Sequence, residues 1–288
     1  MRDYIIMTDS CCDLSAEMVR ELELTVLPLS FTMEGREYFN YPDNRDIDPK
    51  DFYAKLREGA LGVTSAVSTG AFETAMNQVV EEGKDILCIS FSSGLSTTYQ
   101  SACIAAKEVM AAHPDSKVLV VDSLCASLGQ GLLVYLAVLE KRKGLSIEEL
   151  RDFVEERKPH LDHWFTVYDL NHLKRGGRVS AAAALFGTML QMKPVLNIDD
   201  EGHLIPMDKV RGRKASVQAL LDKMEELVEV PSVVFISHGD CEDEAVALGK
   251  AIQEKFPVEK LVINFVGPVI GNHSGPGTLA LFFQGKHR

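Results

Sequence analysis

Over the first half of the chain, short apolar runs alternate with stretches whose apolar residues recur every three or four positions, the signature of strand-helix units and a mostly parallel sheet. Residues 4–8, 24–29, 86–91 and 117–122 are the predicted strands. Residues 15–23, 49–58, 70–82, 96–112 and 130–143 are the predicted helices. Ser146 followed by Glu149 is a capping box, opening a further helix that should stop near Pro159. Few core contacts should cross a charged helix end closed by proline. The pattern therefore predicts an N-terminal α/β domain, residues 1–158, with a mostly parallel sheet and flanking helices, and a C-terminal α/β domain, residues 159–288, with a mixed sheet. In the second part, 164–168 and 194–198 are predicted strands, and Asp199-Asp200-Glu201-Gly202 is a hairpin turn into a returning strand at 203–209. Pro206 confines that return to a sheet edge. A helix over 213–228, a strand at 233–237, a helix near 242–255 and a strand at 261–266 complete the set.

Composition adds exclusions. The 288 residues carry a net charge of −12, which argues against chain-wide attraction to nucleic acid or anionic membranes. The uncharged apolar stretch 132–139 is far short of the roughly 18 residues that span a bilayer. The amino terminus runs straight into a predicted strand with no visible secretory signal. Six cysteines without Cys-x-x-Cys pairs or metal-finger histidines read as reduced cytoplasmic thiols, with no metal site expected.

Candidate chemistry is concentrated in four loops rich in small hydroxyls or glycine, three of them just past predicted strands, where open α/β sheets bind ligands. In Thr8-Asp9-Ser10, with Asp13 and Ser15 following, helix capping is the favoured role. In the loop from Val63 to Gly70, Ser68 or Thr69 is the expected cap, which leaves Thr64 and Ser65 without a structural task. Ser92-Ser93-Gly94-Leu95-Ser96-Thr97-Thr98 offers five hydroxyls where capping needs one, at the opening of a helix whose N–H groups and dipole favour an anion. It lacks the Gly-Lys-Ser/Thr of a nucleotide loop, so ATP is not its expected ligand. The fourth, Gly267 to Gly277, holds four glycines, two prolines and one titratable group, His273, on an unusual backbone path.

Basic residues are grouped. Residues 171–214 hold eight Lys and Arg against four Asp and Glu, a net +4 that leaves the rest of the chain at −16. Lys174, Arg175 and Arg178 form one cluster, and Arg211 and Arg213 belong to the other. The uncharged run 181–190 between them, continued by Met192, is either core or the wall of an aliphatic tunnel.

These motifs, in this order and spacing, resemble the DegV family, which includes the fatty-acid-binding subunits of bacterial fatty acid kinase. The match runs through Thr8-Asp9-Ser10 with Asp13-Leu14, Ser92-Ser93-Gly94-Leu95-Ser96 and on to Ala102, Leu173-Lys174-Arg175-Gly176-Gly177-Arg178, and Gly267-Pro268-Val269-Ile270-Gly271 with His273 and Gly275-Pro276-Gly277. The resemblance implies a cytoplasmic two-domain carrier, itself no enzyme and without cofactor, that buries one long-chain fatty acid such as palmitate. Its carboxylate would rest on Thr64 and on Ser93 or Ser96, with Ser65, Thr97 and His273 nearby. A separate kinase subunit, resembling dihydroxyacetone kinases, would convert the carboxylate to an acyl phosphate and dock on Lys174, Arg175, Arg178, Arg211 and Arg213. No nucleic acid and at most transient membrane contact are expected. Three stretches depart from the family pattern: Thr64-Ser65-Ala66-Val67-Ser68 lacks its usual proline, Ser96-Thr97-Thr98 replaces Ser-Gly-Thr, and His273-Ser274-Gly275 replaces His-Thr-Gly.

The alternative from another class is a serine hydrolase on acyl esters, with Ser93 or Ser96 as nucleophile and His273 as base. No Gly-x-Ser-x-Gly elbow is present, and the His273 loop holds no acidic residue to orient the imidazole.

Overall fold

The computed structural model describes residues 2–168, 170–179 and 191–287. A four-stranded parallel sheet in the order β2-β1-β6-β7 is built from β1 (Tyr4–Asp9), β2 (Thr25–Leu27), β6 (Asp85–Ser90) and β7 (Val118–Asp122). β6 is buried along its whole length, and its side chains alternate between two cores. Leu87 and Ile89 face one, Ile86 and Cys88 the other. Strands covered on both faces read as continuous apolar runs, which is why this sheet was legible.

Helices α1 (Ala16–Glu21), α2 (Pro49–Arg57), α3 (Thr69–Glu81), α4 (Thr98–Ala112), α5 (Leu128–Arg142) and α6 (Ile147–Arg157) follow the predicted spacing. Ser15 caps α1 and Ser68 caps α3 through their hydroxyls, and the capping box of Ser146 and Glu149 opens α6. The first hydroxyl loop is structural throughout. Asp9 accepts from the N–H of Cys11 and Phe91, and the Ser10 hydroxyl accepts from Leu29 N.

A six-stranded mixed sheet in the order β10-β9-β8-β13-β11-β12 comes from the second half. Its strands are β8 (Leu161–Thr166), β9 (Met192–Ile198), β10 (Leu204–Arg211), β11 (Val228–His238), β12 (Lys260–Phe265) and β13 (Leu279–Gly285). β10 is an edge strand with a register shift between Pro206 and Asp208, as a proline without a backbone donor requires. One face, with Leu279, Leu281 and Phe283 of β13, packs under α8 (Arg213–Leu227) and α9 (Glu242–Lys255). The other, with Ala280 and Phe282, meets α5 in the same apolar cluster as Leu87 and Ile89 of the parallel sheet. α5 thus lies between the two sheets, and one core runs across residue 158.

Several elements differ from the sequence expectation, among them β13, which was not predicted. β5 (Gly62–Ser65) is a strand, not a loop, and Thr64 and Ser65 pair with Phe31 and Ser30 of β3 (Ser30–Met33). β4 (Arg36–Phe39) completes this small antiparallel sheet through a turn with positive φ at Glu34 and Gly35, the two-residue geometry that suits strand twist. The Gly/Pro-rich segment contains a helix, α10 (Pro268–Ser274), with its proline at the first turn and Gly275 (φ 81°) ending it. A short helix, α7 (Asn171–Arg175), carries the first basic cluster. The uncharged run 181–190, expected to be core or tunnel wall, lies outside the described residues, and Met192 opens β9. No described helix is long and apolar enough to cross a membrane, and none of the six cysteines is in a disulfide.

Candidate functional site

Between α10, β5, the 91–97 turn and the inner face of the six-stranded sheet lies a cavity of about 400 Å³, within the range that takes organic ligands. The sheet supplies one wall by strand alternation: His163 and Phe165 from β8, Ala280 and Phe282 from β13, Ser237 from β11. Register places Phe165, Ala280 and Ser237 in one row across three strands. Leu29, Phe91, Leu95, Val266, Val269 and Ile270 face it from the other side.

Thr64, Ser65, Ser93, Ser96, Thr97 and His273 all line this cavity, although they come from three separate segments. Thr64 Oγ1 is 2.9 Å from His273 Nε2. The ring lies so close to Gly176 that a Cβ there would sit 2.1 Å from Nδ1, which only glycine permits. His273 Nδ1 is buried without a hydrogen-bond partner. Burial, with the positive Arg178 adding to it, lowers the His273 pKa to about 4, so the imidazole is neutral at pH 7. Among the described residues no carboxylate is hydrogen-bonded to this histidine, and its pKa is far below that of a neutral-pH base. The hydrolase constellation is therefore not assembled among the described residues.

The 92–98 turn divides its hydroxyls between two tasks. Ser92 Oγ donates to Gly202 O (2.8 Å) and accepts from Gly94 N (3.2 Å), locking the turn beneath the β9–β10 hairpin. A Cβ on Gly94 would lie 2.7 Å from Gly202 O, so the close approach needs glycine. Ser96 Oγ accepts from Thr98 N (3.2 Å) and lies 2.9 Å from Thr98 Oγ1, so it steadies the start of α4 as well as facing the cavity. Several backbone donors of the turn itself are already used: Ser93 N donates to Asp122 Oδ1, and Leu95 N and Ser96 N donate to Ser92 O. The turn also offers a ligand its side-chain hydroxyls, with Ser65 and Thr97 exposed at the rim.

The expected docking cations separate. Lys174, Arg175 and Arg211 are exposed. Arg178 is not on an outer face: it lines the cavity, half-buried, donating to Leu95 O (3.2 Å) and Gly176 O (2.5 Å). Desolvation lowers its pKa, the mark of a cation held out of water. Arg213 is also withdrawn, paired with Glu244 at 2.6 Å and stacked over the Tyr168 ring, with its side chain 17% exposed. Sequence reasoning missed Ser127, His163, Ser237 and Thr278 in the lining, which Ser274, the neighbour of His273, joins. The missed residues lie on a strand face, at a helix start or just before β13, where no local motif marks them.

The fold and site define an α/β protein with a four-stranded parallel and a six-stranded mixed sheet, holding an apolar cavity closed at one end by hydroxyls, an imidazole and a guanidinium. The chain belongs to the DegV family, whose model, described as an uncharacterised protein family, matches residues 4–286. It is similar to a DegV domain-containing protein of Clostridium perfringens, 44% identical over 287 residues that cover 99% of this chain and 98% of the relative. A DegV family structure from Thermus thermophilus, described for its fatty acid binding, is 32% identical with a TM-score of 0.89, covering 99% of this chain and 100% of that one. A stearic-acid-binding protein from Eubacterium ventriosum is 26% identical with a TM-score of 0.87, each chain covered to 99%.

Proposed function

We propose that this protein is a cytoplasmic fatty-acid carrier that buries one long acyl chain and presents its carboxylate to a separate kinase subunit for acyl phosphate formation. The observation that carries the reading is the continuity of an apolar cavity wall with the Thr64–His273 pair and Arg178. Each methylene removed from water contributes about 0.8 kcal/mol before ordering costs, so the chain supplies most of the affinity. The head group supplies orientation. A neutral His273 bearing its proton on Nε2 donates to Thr64 Oγ1, which leaves the Thr64 O–H to donate to the carboxylate. Ser93 or Ser96 gives a second hydroxyl, and Arg178 balances the charge in a site of low dielectric.

Ser65 and Thr97 at the rim are exposed, so the carboxylate end is the one a partner reaches. We take Lys174, Arg175 and Arg211 as the docking cations of a dihydroxyacetone-kinase-like partner, and the two large sheets as two domains, 1–158 and 159–288, that share a core through α5. In the transfer, a carboxylate oxygen bonds to the γ-phosphorus of ATP held by that partner as ADP leaves. The protein here holds and orients and makes no covalent bond.

The test is uptake of palmitate by delipidated protein, then incubation with a dihydroxyacetone-kinase-like subunit and ATP in the presence of hydroxylamine. One palmitate per chain and palmitoyl hydroxamate that depends on both proteins are expected. Protein that takes up no palmitate overturns the carrier reading, and uptake without hydroxamate overturns the kinase role alone.

A further inference from the structure

The head-group residues account for a carboxylate, yet the cavity wall carries two more hydroxyls that a plain alkyl chain does not use. Ser237, fully buried on β11, and Ser127, 5% exposed just ahead of α5, both line the cavity with their oxygens 3.0 Å apart. Behind them Ser127 Oγ lies 2.5 Å from Oδ2 of the buried Asp13, whose own carbonyl accepts from Asn264 Nδ2 at 2.8 Å. Of the other polar groups of the wall, Thr278 Oγ1 donates to Gly275 O and His163 Nδ1 is 2.8 Å from Leu161 O, whereas Ser274 Oγ is buried without a hydrogen-bond partner. The serine pair differs, because its hydrogen bonds run from side chain to side chain and end at Ser237 on the sheet face.

A second observation singles out the same pair. Ser127 holds φ 54° and ψ −143°, a conformation that suits glycine and costs a residue with a Cβ about 1–3 kcal/mol. Such strain persists where its surroundings enforce it, and here it sets a hydroxyl between Asp13 and Ser237.

We propose that the cavity takes an acyl chain bearing a hydroxyl part-way along its length, hydrogen-bonded to Ser237 Oγ. This deepens the fatty-acid reading and rests on it. An ionised Asp13 only accepts, so the protons run from Ser237 to Ser127 to Asp13, and Ser237 Oγ keeps lone pairs that call for a donor in the lumen. Burial raises the Asp13 pKa to about 7. When Asp13 is protonated the order reverses and Ser237 becomes the donor. A hydroxyl serves both orders, a ketone only the second, and a methylene neither. Ala280, beside Ser237 in the same row, leaves room for the extra oxygen.

The test is competitive binding of octadecanoic acid against a series of monohydroxyoctadecanoic acids, the hydroxyl walked along the chain, on delipidated wild type, Ser237→Ala and Ser127→Gly. Ser127→Gly suits the backbone angle and removes the hydroxyl, so it serves if Ser237→Ala does not fold. One position or two neighbouring ones should bind about threefold to tenfold tighter than octadecanoic acid, the range one hydrogen bond covers. Both variants should lose that preference, so that the hydroxy acids and octadecanoic acid then compete on equal terms. If no hydroxy acid outcompetes octadecanoic acid, or the preference survives both variants, the subsite is overturned while the carrier reading stands. If neither octadecanoic acid nor any hydroxy acid binds, the carrier reading itself fails.

Discussion

The two ends of the cavity are built on different principles. At the polar end, Thr64, Ser93, Ser96, Arg178 and His273 come from a short edge strand, a turn, a segment after a five-residue helix and a seven-residue helix. They are tied to one another by single side-chain bonds between segments, Thr64 to His273 and Arg178 to Leu95 O. At the wall, Phe165, Ala280, Ser237, His163 and Phe282 are fixed by the register of three long strands whose opposite faces lie in a separate core. The polar end is adjustable and reaches solvent, whereas the wall is rigid and dry. Affinity should therefore reside in the wall, and orientation and transfer at the polar end.

Filling the wall should have the largest effect. Ala280→Phe places a ring in the lumen beside Phe165. Because the space exists, the melting temperature should fall by only a few degrees, while long-chain acid binding drops by about a hundredfold or more in calorimetric titration. Binding that survives would put the chain elsewhere. Next comes Thr64→Val, which keeps shape and removes one hydroxyl from the anion. Palmitate affinity should fall about tenfold, as expected for a hydrogen bond to a charged group, with about 1 kcal/mol of stability lost because His273 Nε2 loses its partner. An equal loss for palmitate methyl ester would contradict a carboxylate contact.

Protonation separates the two ends by sign. His273, with a pKa lowered to about 4, is neutral when folded but takes a proton in the unfolded chain below its ordinary value of 6.5. Its contribution is complete above pH 6.5 and is lost as pH falls toward 4. Asp13, raised from 3.8 to about 7, does the reverse: its contribution is complete below pH 3.8 and is lost as pH rises toward 7. Denaturant melts from pH 4 to 7 should show His273→Asn and Asp13→Asn tilting the stability curve in opposite directions relative to wild type. The same tilt for both would mean that at least one environment is misassigned. The smallest effect is expected of Ser96→Ala, about 1 kcal/mol of stability with a modest loss of affinity, because the hydroxyl also accepts from Thr98 N. A loss of affinity with no change in melting would show that capping is not among its tasks.

This contrast also explains what could be read from the sequence. The parallel sheet, five helices of the first half and the Pro206 edge strand follow local periodicity, and the hydroxyls that line the polar end of the cavity were visible as an excess over what capping needs. Thr64 and Ser65 were singled out while their strand was missed, since β5 is four residues long and makes sense only once β3 lies beside it. Pro268 and four glycines concealed α10, whose seven residues fit between a proline at its first turn and a glycine at its end. Ser237 and Ser127 carry no local signal, because their meeting depends on β11 pairing with β13 and on α5 crossing between the sheets. Arg178 was found as a cation and misplaced as a surface one, because charge is written in the sequence and burial is not.

The central claim is that one long acyl chain occupies the wall of this cavity. Native mass spectrometry of protein purified without added lipid, followed by extraction of the bound material, tests it most directly. A mass increment equal to one long-chain fatty acid per chain, recovered in the extract and absent from Ala280→Phe, is the predicted result. Protein that carries no fatty acid, and takes up none when palmitate is added, would contradict it.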